Sequence, residues 1–425
     1  MGMTIAQKIL ARASGRDEVA AGEYVVTKVD RVMVFGERFG DLACDDVGSR
    51  WPDEIVLSKV FDPERVVVIN EHQIPPYNIG TADEYAASRR GVKKLGIRHF
   101  FDIGRGGICH QVFAEKGFAR PGELVVGSDS HTCTYGAFNT AAQAVGYDLP
   151  HVLATGETWF RVPSAIRFII NGELPPGVFS KDLILAIAGE YGTDIGLQKS
   201  VEFIGSTVRS MTISSRMTIA NIGIEIGADF ALFEADDKII DFVKSRTNEK
   251  FEPVFSDPDA VYEAEYEIDA SALTPKVACP HNIGNIKDVI DVAGTKIDQA
   301  FLGSCTNARY EDLATAAKIL KGRKIHPDVR LIVTPASQEV YGAALQDGLI
   351  TVFHEADALV TNPTCGACGG GQLGVLGAGE VCLGSHNRNF KGRMGSPDAE
   401  VYLASPATVA ASAIEGAIAD PRRYF

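Results

Sequence analysis

The sequence predicts an α/β protein whose sheets are mainly parallel. Short runs rich in β-branched residues alternate with amphipathic stretches of helix length along the 425 residues, and this order is typical of parallel sheets covered by helices. Polar and glycine-rich clusters repeatedly follow the apolar runs. Because ligands bind beyond the carboxyl ends of strands in such sheets, we expect these clusters to converge on a ligand site.

Six apolar runs have the length and composition of buried strands. They are "RVVVIN" (65–70), "ELVVGSD" (123–129), "IRFII" (166–170), "DQAFLGSC" (298–305), "VRLIVTP" (329–335) and "ALVTNPTC" (358–365). The stretches between them predict helices. These include "TADEYAASRRGVKKLG" (81–96), "SKDLILAIAGE" (180–190) and "NARYEDLATAAKILKG" (307–322), the last with Gly322 as its C-cap.

The length predicts more than one domain, since roughly 150 residues per domain is typical. The stretch "NGELPPGVFS" (171–180) and the acidic stretch 256–275 have the composition of connections, which puts boundaries near residues 165 and 280. We therefore predict three α/β domains, at residues 1–165, 166–280 and 281–425.

Composition and charge exclude several classes of protein. The content of 45% hydrophobic and 23% charged residues is ordinary for a globular protein, and no apolar run approaches the roughly 18 residues of a membrane span. The first residues lack a signal-peptide pattern, so we expect a cytoplasmic protein without a membrane partner. A net charge of −14 argues against a nucleic-acid partner. An anionic substrate would require local positive charge.

The eight cysteines favour metal binding or catalysis over disulfides in such a chain. Cys365 and Cys368 form a CxxC that can contribute two ligands to one metal centre, whereas a closed zinc site requires four. Cys305, which ends another predicted strand, is a third candidate. Three cysteines suit a four-iron cluster with one iron lacking a thiolate. Alone, a CxxC is more typical of structural, redox or zinc sites, and Cys305 alone is more typical of a buried core residue.

Histidines and carboxylates follow the predicted strands in three places. Glu71 stands beside His72, "GGICHQ" contains His110, and "DSH" supplies Asp129, Ser130 and His131. Such groups suit general acid and base catalysis, although a histidine beside a carboxylate is equally typical of a structural pair. In "IANIGIEIGADF", Asn221 and Glu225 are four residues apart and would share one face of a helix.

The segment "NRNFKGR" (387–393) concentrates positive charge. It contains Arg388, Lys391 and Arg393 within six residues. The planar fork of arginine suits bidentate recognition of carboxylates. Taken alone, such a cluster is more typical of a solvated surface.

Four long motifs resemble the aconitase superfamily, specifically the large subunits of its 3-isopropylmalate dehydratase and homoaconitase branch. They are "HQVFAEKGFARPGELVVGSDSHTCTYGA" (110–137), "IDQAFLGSCTNARYEDL" (297–313), "NPTCGACGGG" (362–371) and "NRNFKGRMGSPDAEVYLASPATVAASAIEG" (387–416). With weaker similarity between them, the resemblance covers nearly the whole chain. It implies three aconitase-type α/β domains around a central iron–sulfur cleft, without the swivelling domain of single-chain aconitases.

The resemblance also implies a cofactor and a set of site residues. Cys305, Cys365 and Cys368 correspond to the ligands of one [4Fe–4S] cluster, whose remaining iron is not ligated by cysteine and binds the substrate. Arg388 and Arg393 correspond to carboxylate-binding positions. The remaining catalytic positions of the family correspond to Glu71, His72, His110, Asp129, Ser130, His131, Asn221 and Glu225.

The base that removes a carbon-bound proton is missing from the sequence. In the superfamily it is a serine in a "GSSR"-type loop on the swivelling domain, and the "SSR" at 214–216 belongs instead to the stretch leading into Asn221. We therefore expect a separate small subunit that carries the serine, in a heterodimer or heterotetramer.

The substrate implied by the resemblance is a small anionic hydroxy acid, and the reaction is loss and re-addition of water. The resemblance to this branch indicates isomerisation of 3-isopropylmalate, a step of leucine biosynthesis. Two departures leave alternatives open: Phe35 and Gly36 replace a usually polar pair, and Glu71 replaces the usual Asp. The alternatives are a 2,3-dimethylmalate dehydratase, a homoaconitase, and a metal-binding or iron–sulfur regulator without activity.

Overall fold

The computed structural model describes residues 2–44 and 56–425. The chain forms two compact units. Unit 1 comprises residues 1–169 and 196–268, and unit 2 comprises residues 170–195 and 269–425. The helix formed by residues 180–191 thus belongs with the C-terminal part of the chain.

Eighteen strands occur in the described residues. They are β1 (Tyr24–Lys28), β2 (Arg31–Phe35), β3 (Val66–Ile69), β4 (His99–Phe101), β5 (Leu124–Gly127), β6 (Ala141–Ala144), β7 (Glu157–Arg161), β8 (Ser164–Asn171), β9 (Lys199–Ile204), β10 (Phe230–Phe233), β11 (Ala264–Asp269), β12 (Lys276–Ala278), β13 (Ile286–Asp288), β14 (Gln299–Leu302), β15 (Arg330–Val333), β16 (Leu359–Val360), β17 (Val381–Gly384) and β18 (Glu400–Ala404).

Fourteen α-helices occur in the same residues. They are α1 (Ile5–Ser14), α2 (Gly36–Ala43), α3 (Ile79–Leu95), α4 (Cys109–Glu115), α5 (Leu149–Thr155), α6 (Ser180–Tyr191), α7 (Ser206–Ser210), α8 (Ile213–Ile222), α9 (Asp237–Arg246), α10 (Val289–Val292), α11 (Tyr310–Leu320), α12 (Gln338–Gln346), α13 (Leu349–Glu355) and α14 (Pro406–Glu415). Short 3-10 helices are found at Ser130–Phe138, Gly223–Ile226, Ala270–Ala272, Gly366–Gly369 and Pro421–Tyr424. Within the described residues, every helix is too short or too polar to cross a bilayer.

Unit 1 contains three sheets. The five-stranded sheet has the order β4-β3-β2-β5-β6, and its neighbouring strands are all parallel. A four-stranded sheet has the order β10-β9-β8-β11, in which β9 is parallel to β8 and β10. Strands β1 and β7 form an antiparallel pair. Strands β2, β3 and β5 are buried along their whole length, which explains their uninterrupted apolar sequences.

Unit 2 is built on one seven-stranded sheet with the order β13-β12-β18-β17-β14-β15-β16. The five strands from β18 to β16 are parallel, and only β12 pairs in the antiparallel sense with its neighbours. Helix α14 packs on β14 and β17 of this sheet and against α11. The carboxyl ends of β14 and β17 therefore lie side by side at one edge.

The predicted α/β class with mainly parallel sheets is confirmed. Each of the six segments predicted as strands overlaps an observed strand. Two local predictions are wrong. Strand β16 is not buried, because it is a two-residue edge strand in which Leu359 is 58% exposed. The acidic stretch 256–275 is not only a connection, since it contains β11, the edge strand of the four-stranded sheet next to β8. The division into three domains stays a prediction.

Candidate active site

The five-stranded sheet of unit 1 brings two polar segments to one edge. Strand β3 ends at Ile69 and leads into Glu71 and His72, while β5 ends at Gly127 and leads into Asp129. Both strands flank β2 in parallel register. The carboxyl ends therefore meet, as expected from the sequence.

Two histidines share one carboxylate at this edge. Nε2 of His110 lies 2.7 Å from Oδ1 of Asp129, and the same oxygen accepts a 2.8 Å hydrogen bond from the backbone N–H of His131. Nε2 of His131 lies 2.8 Å from Oε1 of Glu225. Nδ1 of His110 lies 3.3 Å from the hydroxyl of Tyr135, and Nδ1 of His131 lies 3.3 Å from the hydroxyl of Ser130. Both histidines are buried and held at two nitrogens.

The charged groups of this hydrogen-bonded cluster stabilise one another. Burial raises the pKa of Asp129, but the hydrogen bonds with His110 and His131 lower it by more than burial raises it. The pKa of Asp129 therefore lies well below its usual value. Burial lowers the pKa of His131, whereas the hydrogen bonds and charges of Asp129 and Glu225 raise it, and the net shift is upward. These shifts favour an ionised Asp129 beside a protonated His131.

Asn221 and Glu225 both contact side chains of the 3-10 helix Ser130–Phe138. The Asn221 amide donates a 2.9 Å hydrogen bond to Oγ1 of Thr134 from the last turn of α8. Glu225 lies in the following 3-10 helix rather than in α8. The predicted single helical face is therefore wrong, because α8 ends at Ile222, yet both side chains reach the same segment.

His72 forms a second cluster with two carboxyl groups. Its Nδ1 lies 3.2 Å from Oε1 of Glu71 and 3.3 Å from Oε1 of Glu37. Burial raises the pKa of Glu71, while the backbone N–H of Cys109 donates a hydrogen bond to its carboxylate. Burial lowers the pKa of His72, but the charges of Glu71 and Glu37 outweigh this effect and raise it to about 10.

The three candidate ligands Cys305, Cys365 and Cys368 follow the ends of β14 and β16 in unit 2. Cys305 follows β14 by three residues, and Ser304 before it adopts the left-handed φ of 81°. Cys365 directly precedes the 3-10 helix Gly366–Gly369, and Cys368 lies within that helix. Gly366 has a φ of +60°, and a Cβ there would lie 2.7 Å from Oγ1 of Thr334, so the residue between these cysteines must be small.

Polar groups surround the sulfur atoms. Oγ of Ser304 lies 3.7 Å from Sγ of both Cys305 and Cys368, so these sulfurs are no more than twice that distance apart. The Asn387 amide donates a 3.2 Å hydrogen bond to Sγ of Cys305. Arg393 donates a 3.2 Å hydrogen bond from Nη2 to Sγ of Cys368.

This donor set fits a cluster held by three thiolates. Sulfur is the ligand that iron–sulfur clusters require, and N–H donors aimed at the sulfurs stabilise their negative charge. Burial lowers the pKa of Arg393, but the charges of Cys368, Cys365 and Cys305 raise it above its usual value. Arg393 is therefore within electrostatic reach of all three cysteines. Arg388 is half-buried and Lys391 exposed in the same segment.

Several residues at these clusters were not predicted from the sequence. Glu37, Ser304 and Asn387 contact predicted residues, and both Ser304 and Asn387 stand in motifs that were singled out. Lys181 is fully buried, and its Nζ donates hydrogen bonds of 3.0 and 2.6 Å to the carbonyl oxygens of Ser385 and His386. Neither Glu37 nor Lys181 has a sequence signal that distinguishes it from a surface residue.

Comparison with known proteins gives a consistent result. Residues 70–291 and 283–416 match the Aconitase family (aconitate hydratase). The 3-isopropylmalate dehydratase large subunit 1 of Methanopyrus kandleri is 49% identical over 426 residues, which covers 100% of both chains. The probable methanogen homoaconitase large subunit of Methanothermobacter thermautotrophicus is 46% identical over 424 residues, covering 99% of this chain and 98% of that protein.

One solved structure is also similar. The crystal structure of Thermococcus kodakaraensis aconitase X in its holo form has a TM-score of 0.48 and 11% identity, covering 91% of this chain and 89% of that chain. The family match spans most of this sequence, and the relatives align along their full length. The chain belongs to the aconitase family.

Proposed function

We propose that this chain is the large, catalytic subunit of an iron–sulfur hydro-lyase that isomerises 3-isopropylmalate to 2-isopropylmalate through 2-isopropylmaleate. The relatives named 3-isopropylmalate dehydratase large subunit support this reaction at 42–49% identity over full length. The observation that carries the proposal is the gathering of Cys305 and Cys368 around Ser304, with Arg393 in reach of all three cysteines.

Cys305, Cys365 and Cys368 would hold one [4Fe–4S] cluster. When bound, the cluster supplies a Lewis-acidic iron without a protein thiolate, which makes hydroxide a better leaving group. Asn387 and Arg393 donate hydrogen bonds to two of the sulfurs and so favour the thiolate form.

His72 is the best candidate for the group that protonates the leaving hydroxyl. His110 and His131 each have both ring nitrogens near a polar partner, and both are buried. His72 engages its carboxylates through Nδ1, and its side chain is 32% exposed, which leaves Nε2 to face a substrate. Its raised pKa, about 10, keeps it protonated at neutral pH.

Asp129, Ser130 and His131 form a polar wall in this proposal. The ionised Asp129 fixes both His110 and His131, and Glu225 fixes the far nitrogen of His131. Ser130 offers a hydroxyl within 3.3 Å of His131. Asn221 holds Thr134 and so stabilises the segment that carries this wall. We assign these groups to orienting the substrate rather than to proton donation.

Arg388 and Arg393 would bind the substrate carboxylates. Nε of Arg393 is buried and has no hydrogen-bond partner among the described residues, although Nη2 is bonded to Cys368. A buried guanidinium N–H without an acceptor is costly, and a carboxylate oxygen would satisfy it. Arg388 supplies a second cation five residues earlier.

The relatives' names as large subunits imply a small-subunit partner. We propose that this partner is a swivel-domain protein whose serine removes the carbon-bound proton, and that the two chains form a heterodimer or heterotetramer. Proton removal next to a carboxylate requires such a base.

The test is anaerobic reconstitution of the chain with iron and sulfide, followed by mixing with its small subunit. We expect visible absorbance of a cluster and loss of 2-isopropylmaleate absorbance as the alkene is hydrated. Cys305→Ala, Cys365→Ala and Cys368→Ala should each lose the cluster. Cys279→Ala, a buried cysteine outside the proposed ligands, is the matched control and should retain it.

Four outcomes decide between the candidates. Hydration of cis-homoaconitate in preference to 2-isopropylmaleate would favour a homoaconitase, which one relative at 46% identity is named. Preference for dimethylmaleate would favour a 2,3-dimethylmalate dehydratase. A cluster without hydration of any of these acids would indicate a regulator, and zinc without a cluster would refute the cofactor and the mechanism.

A further inference from the structure

The end of strand β2 places two unassigned side chains beside His72. Between them stands Gly36, where a Cβ would lie 1.5 Å from Oδ1 of Asn70 and 2.9 Å from Oγ of Ser88. No side chain fits at this position while β2 and β3 keep their register. The properties of this corner are therefore set by residues 35 and 37.

Phe35 provides an apolar surface at this corner. Its ring packs edge-on against the His72 imidazole, with centroids 4.4 Å apart and an interplanar angle of 86°. Its backbone N–H donates a 2.9 Å hydrogen bond to Oγ of Ser128, next to Asp129. The ring is 6% exposed. It is thus fixed between the segments that follow β3 and β5 and offers no hydrogen-bond donor.

Glu37 provides negative charge at the same corner. Its Oε1 lies 3.3 Å from Nδ1 of His72, the same nitrogen that Glu71 approaches to 3.2 Å. Its Oε2 is buried and has no hydrogen-bond partner among the described residues, and the side chain is 14% exposed. Two carboxyl groups therefore face a single imidazole nitrogen. One oxygen remains without a compensating donor.

We propose that Phe35 and Glu37 select substrates that carry an apolar group, and reject those that carry a third carboxylate, at the substituent beside His72. The inference rests on the proposed function, in which His72 protonates the leaving hydroxyl. Groups beside His72 then contact substituents on the carbon that bears the hydroxyl or on its neighbour. These are the carbons that distinguish alkyl-substituted malates from tricarboxylic acids.

The physical reason is desolvation combined with like charge. A carboxylate placed against the Phe35 ring would lose water without gaining a donor, and it would meet the charge of Glu37. An alkyl group would lose nothing and would gain contact with the ring. Since like-charge juxtaposition costs several kcal/mol, we expect a preference of at least about tenfold for the alkyl diacid.

The experiment compares kcat/KM for 2-isopropylmaleate and cis-homoaconitate in the reconstituted complex. Glu37→Gln removes the charge at constant size, Phe35→Gln introduces a donor, and Phe35→Leu is the matched apolar control. We expect Glu37→Gln and Phe35→Gln to shift the ratio toward cis-homoaconitate by about tenfold. Phe35→Leu should keep the ratio of the unmodified protein.

Affinities of the two acids are measured in parallel by calorimetry on the cluster-loaded chain with its small subunit. If the unmodified protein hydrates neither acid but binds the diacid more tightly, and Glu37→Gln reduces that difference, the proposed function fails and the selectivity inference stands. If the unmodified protein prefers cis-homoaconitate, or if the turnover and affinity ratios are the same in all variants, the inference is overturned. A change of the ratio in Phe35→Leu equal to that in Phe35→Gln would also overturn it.

Discussion

The charge of Glu225 can be tested through the proton on its neighbour His131. Oε1 of Glu225 lies 2.8 Å from Nε2 of His131, which also receives the field of Asp129. The change Glu225→Gln keeps the size and the hydrogen-bonding capacity of the side chain and removes its negative charge. Because that charge helps to raise the pKa of His131, the pKa should fall in the variant.

The size of this fall follows from the strength of the interaction. A hydrogen bond to a charged group is worth about 1.5–3 kcal/mol, whereas a neutral one is worth about 0.5–1.5 kcal/mol. The difference of about 1–2 kcal/mol corresponds to about one pKa unit, since one unit equals about 1.4 kcal/mol. The pKa of Asp129 should change little, because His110 still lies 2.7 Å from it.

The pH dependence of kcat/KM for 2-isopropylmaleate hydration reports this change. A neutral His131 would leave the surrounding carboxylates uncompensated and repel the anionic substrate. We therefore expect the alkaline limit of activity to move down by about one pH unit in Glu225→Gln. Below that limit the variant should be at least as active as the unmodified protein, since it has lost one negative charge. Above that limit the two profiles should converge, because the variant with a neutral His131 carries the same net charge at this cluster as the unmodified protein with a protonated His131.

The matched control is Glu234→Gln, the same change at an exposed carboxylate of unit 1. Its profile should superimpose on that of the unmodified protein. The His131 ring can also be titrated directly by NMR after histidine labelling, with His131→Gln to identify its signal. A Glu225→Gln profile that differs only by a constant factor, with an unchanged His131 titration, would refute the reasoning.

Two further predictions concern stability, measured by urea unfolding. Buried Asn139 has a φ of 60°, donates hydrogen bonds to the carbonyls of Phe233 and Val254, and accepts one from the Val254 N–H. Asn139→Ala should therefore lower the free energy of unfolding by about 3–5 kcal/mol. A decrease below about 1 kcal/mol would contradict this. Burial raises the pKa of Asp229 from 3.8 to about 6. The folded protein then binds more protons across that window, so stability falls as pH rises through it, and Asp229→Asn should gain about 1–3 kcal/mol at pH 7.5 but nothing at pH 3.5.

The strand ends are the part of the site that the sequence could predict. Glu71 and Asp129 follow apolar runs, and parallel strands bring their carboxyl ends to one edge whatever the loops between them do. Cys305 was predictable for the same reason, since β14 ends just before it. These predictions needed only strand periodicity and the parallel arrangement of the sheet.

Glu37 and Lys181 show why the rest could not be predicted. Glu37 stands in the first turn of α2, where an acidic residue is common because it stabilises the helix N-terminus. Lys181 stands in the first turn of α6, where the sequence pattern suggests a solvated side chain. Only tertiary contacts distinguish these two side chains from surface residues. Glu37 contacts His72, which follows another strand, and Lys181 donates a hydrogen bond to the carbonyl of His386, about two hundred residues later in the sequence.

The balance of charge differs between the polar cluster of unit 1 and the arginine-containing segment of unit 2. The polar cluster of unit 1 contains more carboxyl groups than imidazoles, namely Glu37, Glu71, Asp129 and Glu225 against His72, His110 and His131. Even with every imidazole protonated, this cluster has no surplus positive charge to attract a dianion. In unit 2, Arg393 and Arg388 supply guanidinium groups, and one N–H of Arg393 is buried without an acceptor. In the proposed function, the binding energy for the substrate carboxylates is therefore expected from Arg388 and Arg393 rather than from this cluster of histidines and carboxylates.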